Sequence, residues 1–411
     1  MDLFHKPLSK ILAPVTPADF ATGIYGRQPL HIPNPTAADR FTSLFNWDSL
    51  NRLLNLSLSS EASPGLRIFK DQRNFIFKKA GENAGRILKH IRQGGTLILE
   101  NIDKYDPTLA TFLDALSDEI AAQTRINLYM SCPGKQGYPI HYDTHDFLIL
   151  QVYGYKRWDI YPGTVPWPMF PPPTFQSPLD EILPAYDPPP EESRIQQVLL
   201  APGDVLYVPK GYWHKALAED APSLHLTLGM YLKTGVDFMQ WLVTQMQEIP
   251  EFRQPFPFIT KEALPEQASG PSPYEPRIDQ LKAGLAALIS DPLLAVKFHQ
   301  ASYSTLQRRQ AFFLPQQYAA DKGELVPWQH FRVVSLPHYL VQQPDGLVEL
   351  IYAHEKLTFA APAHALLRYM LTRESFSRAD LEARFSAFAW NDILDVLLPL
   401  VQDGIIEPVN R

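Results

Sequence analysis

Hydrophobic positions along the chain change their spacing near residues 125, 235 and 330. Before the first change, WDSLNRLLNLSL (from Trp47) and TLATFLDALSDEIAA (Thr108–Ala122) carry apolar residues at helical intervals, and Pro107 suits the opening turn of the second. RQPLHIPN (Arg27–Asn34) and GGTLILENID (Gly94–Asp103) are short apolar runs between turn residues, which predict strands. The next stretch is β in character: RINLYMSCPGKQGYPIHYD, DFLILQVYG, YKRWDIYP, QQVLLAPGDVLYVPKGYWHKALA and SLHLTLGMYL are strand-like runs separated by Gly and Pro. Beyond Gly235, VDFMQWLVTQMQEI, RIDQLKAGLAALISD and LLAVKFHQASYSTLQRRQAFF return to helical spacing with wide apolar faces. From about residue 331, HYLVQQPDGLVELIY sets a Pro-Asp-Gly turn between two alternating runs. APAHALLRYML, SRADLEARF and NDILDVLLPLVQDG then predict three helices, and IIEPV a closing strand.

Length agrees with this division, because 411 residues and 46.7 kDa exceed one ordinary core. The boundaries fall at 1–235, 236–330 and 331–411. A net charge of -7 argues against nucleic acid as an electrostatically drawn partner. From Phe331 to Arg411 seven Lys and Arg face ten Asp and Glu, so a DNA reader is not expected there either. The single cysteine, Cys132, reads as a small semi-buried residue and excludes an intramolecular disulfide, which fits a reducing compartment. The first twenty residues lack the pattern of a signal peptide, and no window approaches a membrane span. The expected location is the cytoplasm. One segment departs from its surroundings: VPWPMFPPPTFQSPLDEILPAYDPPP (Val165–Pro190) is proline-dense, and reads either as a spacer or as a loop packed on a surface.

The candidate chemistry lies in HYDTHDFLILQVYGYKRW (His141–Trp158), where two histidines and two aspartates precede an apolar run. Alternate residues of a strand share a face, so a strand here would turn His141 and Asp143 the same way. Farther on, APGDVLYVPKGYWH has a turn at Pro202-Gly203-Asp204, a strand VLYV and a second turn that delivers His214. Two histidines and one carboxylate form a facial triad, which leaves positions open on ferrous iron for a co-substrate and dioxygen. His145 has the parity of His141 and Asp143. A fourth protein ligand would close a position that such chemistry needs, so a supporting or substrate-facing role is expected of it. Asp146 has the opposite parity and reads as structural, and His225 is not needed beside a complete triad.

The run from Asn127 through Trp158, with VPKGYWH and SLHLTLGMY beyond it, resembles the JmjC-type, cupin-fold iron(II)/2-oxoglutarate-dependent oxygenases. Within that class it is most similar to the ribosomal oxygenase branch, whose entry strand Phe20…Tyr25-Gly-Arg-Gln-Pro-Leu-His-Ile also resembles. The resemblance implies an α+β protein with a double-stranded β-helix (jelly-roll/cupin) catalytic domain. A helical dimerisation block and a winged-helix-like C-terminal domain would follow it. It implies His141, Asp143 and His214 as iron ligands and Lys156 as the cation for the distal carboxylate of 2-oxoglutarate. A dicarboxylate chelating a metal at one end needs such a cation at the other. Asn127 and Thr227 are the implied polar contacts to the co-substrate. Tyr129 and Tyr138 are candidates for the substrate pocket, equally well explained as core aromatics. One departure matters: the loop CPGKQGYP holds no acid to pair with a substrate arginine, which leaves histidine or another residue open.

The resulting expectation is an iron(II)-, 2-oxoglutarate- and dioxygen-dependent hydroxylase of a protein or peptide side chain, acting as a homodimer away from membranes. Its rivals are N-methyl-lysine demethylation, tRNA-base hydroxylation and a non-catalytic cupin binding module. A broken triad or a missing co-substrate cation would mark the last, and both are intact here.

Overall fold

The computed structural model describes residues 3–34, 40–59, 64–71, 73–77, 80–133, 138–171, 187–219, 221–260, 272–309, 314, 321–334 and 337–409. The middle of the proline-dense segment and part of the CPGKQGYP loop lie outside the described residues.

Among the described residues, eleven strands build the first part of the molecule: β1 (Leu30–Ile32), β2 (Gly65–Lys70), β3 (Arg73–Phe77), β4 (Thr96–Glu100), β5 (Gln123–Ser131), β6 (Asp146–Tyr153), β7 (Lys156–Gly163), β8 (Gln196–Leu200), β9 (Val205–Val208), β10 (Tyr212–Ala218) and β11 (Ser223–Tyr231). Eight of them form one antiparallel sheet in the order β1-β9-β6-β11-β5-β4-β2-β3, and β10-β7-β8 form a second. The alternation in β5 and β11 decides what each face of the larger sheet meets. Ile126, Leu128 and Met130, with Leu224, Leu226 and Leu228, face one core with Leu109, Phe112, Leu113 and Leu116 of the helix Pro107–Ile120. That helix is opened by Asp106, whose carboxylate accepts from the amides of Thr108 and Leu109. The opposite face turns toward the small sheet. There Phe147, Ile149, Leu206 and Val208 pack on Trp158, Ile160, Val198 and Leu200. This is the sandwich expected of a jelly roll. The odd-numbered residues of β5 and β11 share that inner face, and they supply the polar side chains of the site.

Helices Gly235–Gln247, Glu275–Ile289 and Leu294–Ser304 follow, as the spacing predicts. Thr234 and Asp237 close a capping box on the first of them. Phe238 and Trp241 meet Phe298 of the third, with ring centroids 5.1 and 5.3 Å apart.

The C-terminal part holds β12 (His330–Val333), β13 (His338–Gln342), β14 (Val348–Tyr352), β15 (Glu355–Phe359), β16 (Ser375–Ser377) and β17 (Ile406–Val409), with helices Ala363–Leu371, Arg378–Arg384 and Trp390–Gln402. The Pro-Asp-Gly turn does join two strands, but β15 extends the hairpin to three, and β12 pairs with both β16 and β17. These extra strands span three to five residues and mix charge with apolar side chains, so no clear period announces them. Leu325, ahead of the expected boundary at 331, already packs into the core of this part.

The two ends of the chain meet at the helix Pro107–Ile120. Arg309 binds Asp103 at 2.8 Å and Asp114 at 2.9 Å and also donates to the carbonyl of Thr124, while Arg308 donates to the carbonyls of Asp403 and Gly404 at the end of the last helix. His338 adds a contact to Asp118.

Candidate active site

The segment from His141 to His145 is not a strand, contrary to the expectation; β6 begins only at Asp146. Strand parity is therefore not what gathers the ligand-type side chains. His141 instead forms an isolated antiparallel bridge with His214 of β10: the amide of His141 donates to the carbonyl of His214 at 3.1 Å, and the reverse bond is 2.7 Å. This bridge brings the large sheet's entry loop against the small sheet and leaves the two imidazoles 4.3 Å apart between centroids. Asp143 is held from the turn before β10, where the amide of Gly211 donates to its carbonyl at 3.0 Å. Gly211 has φ 84°, and a Cβ on it would lie 2.9 Å from Pro168, so both conformation and space call for glycine.

One donor atom each from His141, Asp143 and His214 lies within 4.8 Å of the others. Nδ1 of His141 lies 2.8 Å from the carbonyl of Pro139, and Nδ1 of His214 3.1 Å from that of Tyr212. A proton shared with those carbonyls sits on Nδ1, which puts the lone pair on Nε2. Burial, with His141 nearby, lowers His214 to about 4. Both effects keep the imidazole neutral, the form that binds a metal. Burial opposes ionisation of Asp143, but His145, His141, His214 and Arg67 outweigh it and hold the carboxyl below its ordinary range. The donor set is thus two imidazoles whose Nδ1 faces a backbone carbonyl, and a carboxylate.

Asp146 ties the surroundings together. It accepts from the hydroxyls of Tyr25 and Tyr207 and from the amide of Lys210, which links the N-terminal segment, β9 and the turn that delivers His214.

Behind the triad, the cavity is lined by Thr96, Tyr129, Phe147, Lys156, Trp158, His225 and Thr227, with Tyr138 at its side. Lys156 opens β7, is 3% exposed, and donates to Ser131 Oγ at 3.0 Å, which in turn accepts from Thr96. No carboxylate among the described residues pairs with it. Burial lowers its amine to about 7. Tyr129 faces His225 with ring centroids 5.1 Å apart and planes within 1°.

The expected site residues divide. His141, Asp143, His214, Lys156, Thr227, Tyr129 and Tyr138 line one cavity. Asn127 lies directly opposite Thr227 across β5 and β11, but its side-chain oxygen accepts the amide of Asn101. His145 stacks on Tyr231, 4.5 Å between centroids, next to rather than inside the cavity. Sequence reasoning missed Thr96 and Ser131, and passed over His225, which lines the cavity although no metal position needs it. Its parity with Thr227 was the available signal. Burial and then Lys156 push its imidazole well below the ordinary value, so it too is neutral.

These residues fit a metal and a dicarboxylate. The donors have the type and closeness that ferrous iron takes, and a buried amine that pairs with no carboxylate among the described residues lies in the same cavity.

Comparison with known proteins agrees. The JmjC domain family matches residues 99–238. The chain is 28% identical over 237 residues to the bifunctional lysine-specific demethylase and histidyl-hydroxylase NO66 of Drosophila persimilis, which covers 56% of this chain and 32% of that protein. It is 32% identical over 160 residues to human ribosomal oxygenase 1, covering 37% of this chain and 24% of that one. The chain therefore spans about a third or less of the length of these two curated relatives. Among solved structures, the Escherichia coli ribosomal oxygenase YcfD in complex with cobalt and 2-oxoglutarate superposes with a TM-score of 0.59 at 16% identity, over 95% of this chain and 97% of that one. The complex of the same protein with cobalt and succinic acid gives 0.60 over the same shares. At such identity the likeness establishes the fold, a cupin-type α+β architecture. Residues 99–238 thus match the JmjC domain family, and the chain shares the fold of a ribosomal oxygenase along most of its length.

Proposed function

We propose that this chain is an iron(II)- and 2-oxoglutarate-dependent oxygenase that hydroxylates a side chain of a protein or peptide. The observation that carries the reading is the pairing, in one cavity, of a two-histidine, one-carboxylate cluster with a buried lysine that has no carboxylate partner among the described residues. In the proposed assignment His141, Asp143 and His214 hold the metal, Lys156 takes the distal carboxylate of 2-oxoglutarate, and Thr227 supplies a hydroxyl beside it. Asn127, opposite Thr227 on the neighbouring strand, is assigned a second polar contact to the co-substrate. Iron(II) with 2-oxoglutarate and dioxygen supplies the oxidising power to convert an unactivated C–H to C–OH, while 2-oxoglutarate becomes succinate and carbon dioxide. The chain's own part is to leave coordination positions open, orient the dicarboxylate through Lys156 and exclude water with Tyr129, Phe147 and Trp158. Tyr138 and His145 stand on the side from which a substrate would approach.

The names of the relatives support a protein substrate, a ribosomal protein among the candidates. We read the helical region 236–330 as a dimerisation block, because Val236, Met239 and Val243 recur on its first helix and are about half exposed. The part from 331 to 411 reads as a winged-helix-like module for protein contacts, given its acidic balance, and the cytoplasm as the place of action.

Purified protein with iron(II), ascorbate and 2-oxoglutarate should produce succinate, slowly without substrate. The double variant His141→Ala, Asp143→Ala should lose that turnover to background, and full retention would remove the triad from the reading. Mass spectrometry of ribosomal proteins treated with the enzyme separates the outcomes: one added oxygen means hydroxylation, and a lost methyl group demethylation.

A further inference from the structure

Arginines that are not exposed in this molecule have a consistent environment, with one exception. Arg67 pairs with Glu100, Arg157 with Glu219, Arg309 with two aspartates and Arg378 with Glu382. Arg40, Arg277 and Arg308 each donate to two or more backbone carbonyls. Arg125 has neither. Its one hydrogen bond among the described residues is a long one, 3.4 Å, from Nη1 to Asn101 Oδ1. The acids that could serve it are already engaged, Glu100 by Arg67 and Asp103 by Arg309.

Its position gives this a meaning. On β5, Arg125 shares the inner face with Asn127 and Tyr129 and lies opposite Gly229 of β11. Its guanidinium stands 5.9 Å from the centre of the Tyr231 ring, and Tyr231 is stacked on His145. Phe147 connects His145 to His214, its ring centroid 6.3 Å from the first and 5.1 Å from the second. A continuous stack of side chains therefore runs from the candidate metal site to a half-buried cation that has no anion among the described residues.

Resting on the reading of this cavity as a peptide hydroxylase's site, we infer that Arg125 is a specificity-determining residue that pairs with an acidic side chain of the peptide substrate, a few residues from the one that reacts. A half-buried guanidinium keeps its desolvation cost until a carboxylate arrives, and its planar fork suits that partner. A nucleic-acid strand is the poorer fit, because it needs a track of cations and the chain has a net charge of -7.

The test selects a randomised peptide library, displayed on phage, against the full chain loaded with manganese(II) and 2-oxoglutarate. Wild-type protein should enrich Asp or Glu at one position by about fivefold, the effect of a partly exposed ion pair. Arg125→Lys should keep that preference. Arg125→Glu should replace it with Lys or Arg at the same position, a gain that a misfolded chain cannot produce. An acid preference unaffected by Arg125→Glu, no acid preference in the wild type, or release of the peptides by an oligonucleotide in an Arg125-dependent manner would each overturn the inference. If calorimetry shows that manganese(II) and 2-oxoglutarate do not bind at all, the proposed function itself fails, before any peptide is added.

Discussion

Two buried cations stand in opposite surroundings. Arg309, 6% exposed in its side chain, joins the helix Pro107–Ile120 to the chain's second half and lies between Asp103 and Asp114. Lys156, inside the sandwich, meets only hydroxyl oxygen. Burying a charge is costly in both places, but only the first site returns the cost within the folded chain. On the proposed assignment, the difference separates a structural cation from one kept for a ligand, and burial alone would not have made that distinction.

The largest effect should come from breaking the satisfied site. Arg309→Met leaves two carboxylates buried without a partner and should lower stability by about 3–5 kcal/mol, read from denaturant unfolding. Burial already raises Asp114 to about 6 even with the arginine present, so its ionised form depends on that partner. Next comes Lys156→Met. It should weaken 2-oxoglutarate binding by roughly a hundredfold, about 2.7 kcal/mol, in calorimetry, while stability stays level or rises because an unpaired buried amine has gone. A fall in stability like that of Arg309→Met would show that Lys156 is structural, and the contrast would collapse.

The smallest effect is one of pH. With Lys156 lowered to about 7, the free protein loses the ammonium above that pH, and a dicarboxylate must then bring a proton with it. Affinity should fall by up to about tenfold per pH unit above 7 and be insensitive to this group below it. Calorimetry in buffers of different ionisation enthalpy should show proton uptake at pH 8 and little at pH 6. The same shift implies that fold stability from this group rises with pH between about 7 and the ordinary lysine value of 10.5, since over that window the unfolded chain holds the extra proton.

The same two sites show what the sequence reveals. Lys156 is legible because it follows a tight turn inside an apolar run, fifteen residues from His141 in a recognisable pattern. The strands of the sandwich are legible by alternation. Arg309 is not, because its partners lie 206 and 195 residues away and no local pattern marks them. The metal cluster falls between these cases. Its three residues can be named from spacing, yet the strand assumed to align them is absent, and the cross-sheet bridge that does align them is a tertiary contact. Arg125 looks like an ordinary strand residue until every other half-buried arginine can be compared with it.

The bridge between His141 and His214 has a mechanical side. One histidine belongs to the loop that enters the large sheet and the other to the small sheet, so under the proposed assignment an ion gripped by both would act as a rivet through two plates. Loading the metal would then shift the folding equilibrium toward the closed sandwich by the free energy of binding. Chelation would loosen a seam as well as remove a reagent, so the ability to react and the persistence of the fold rise and fall together.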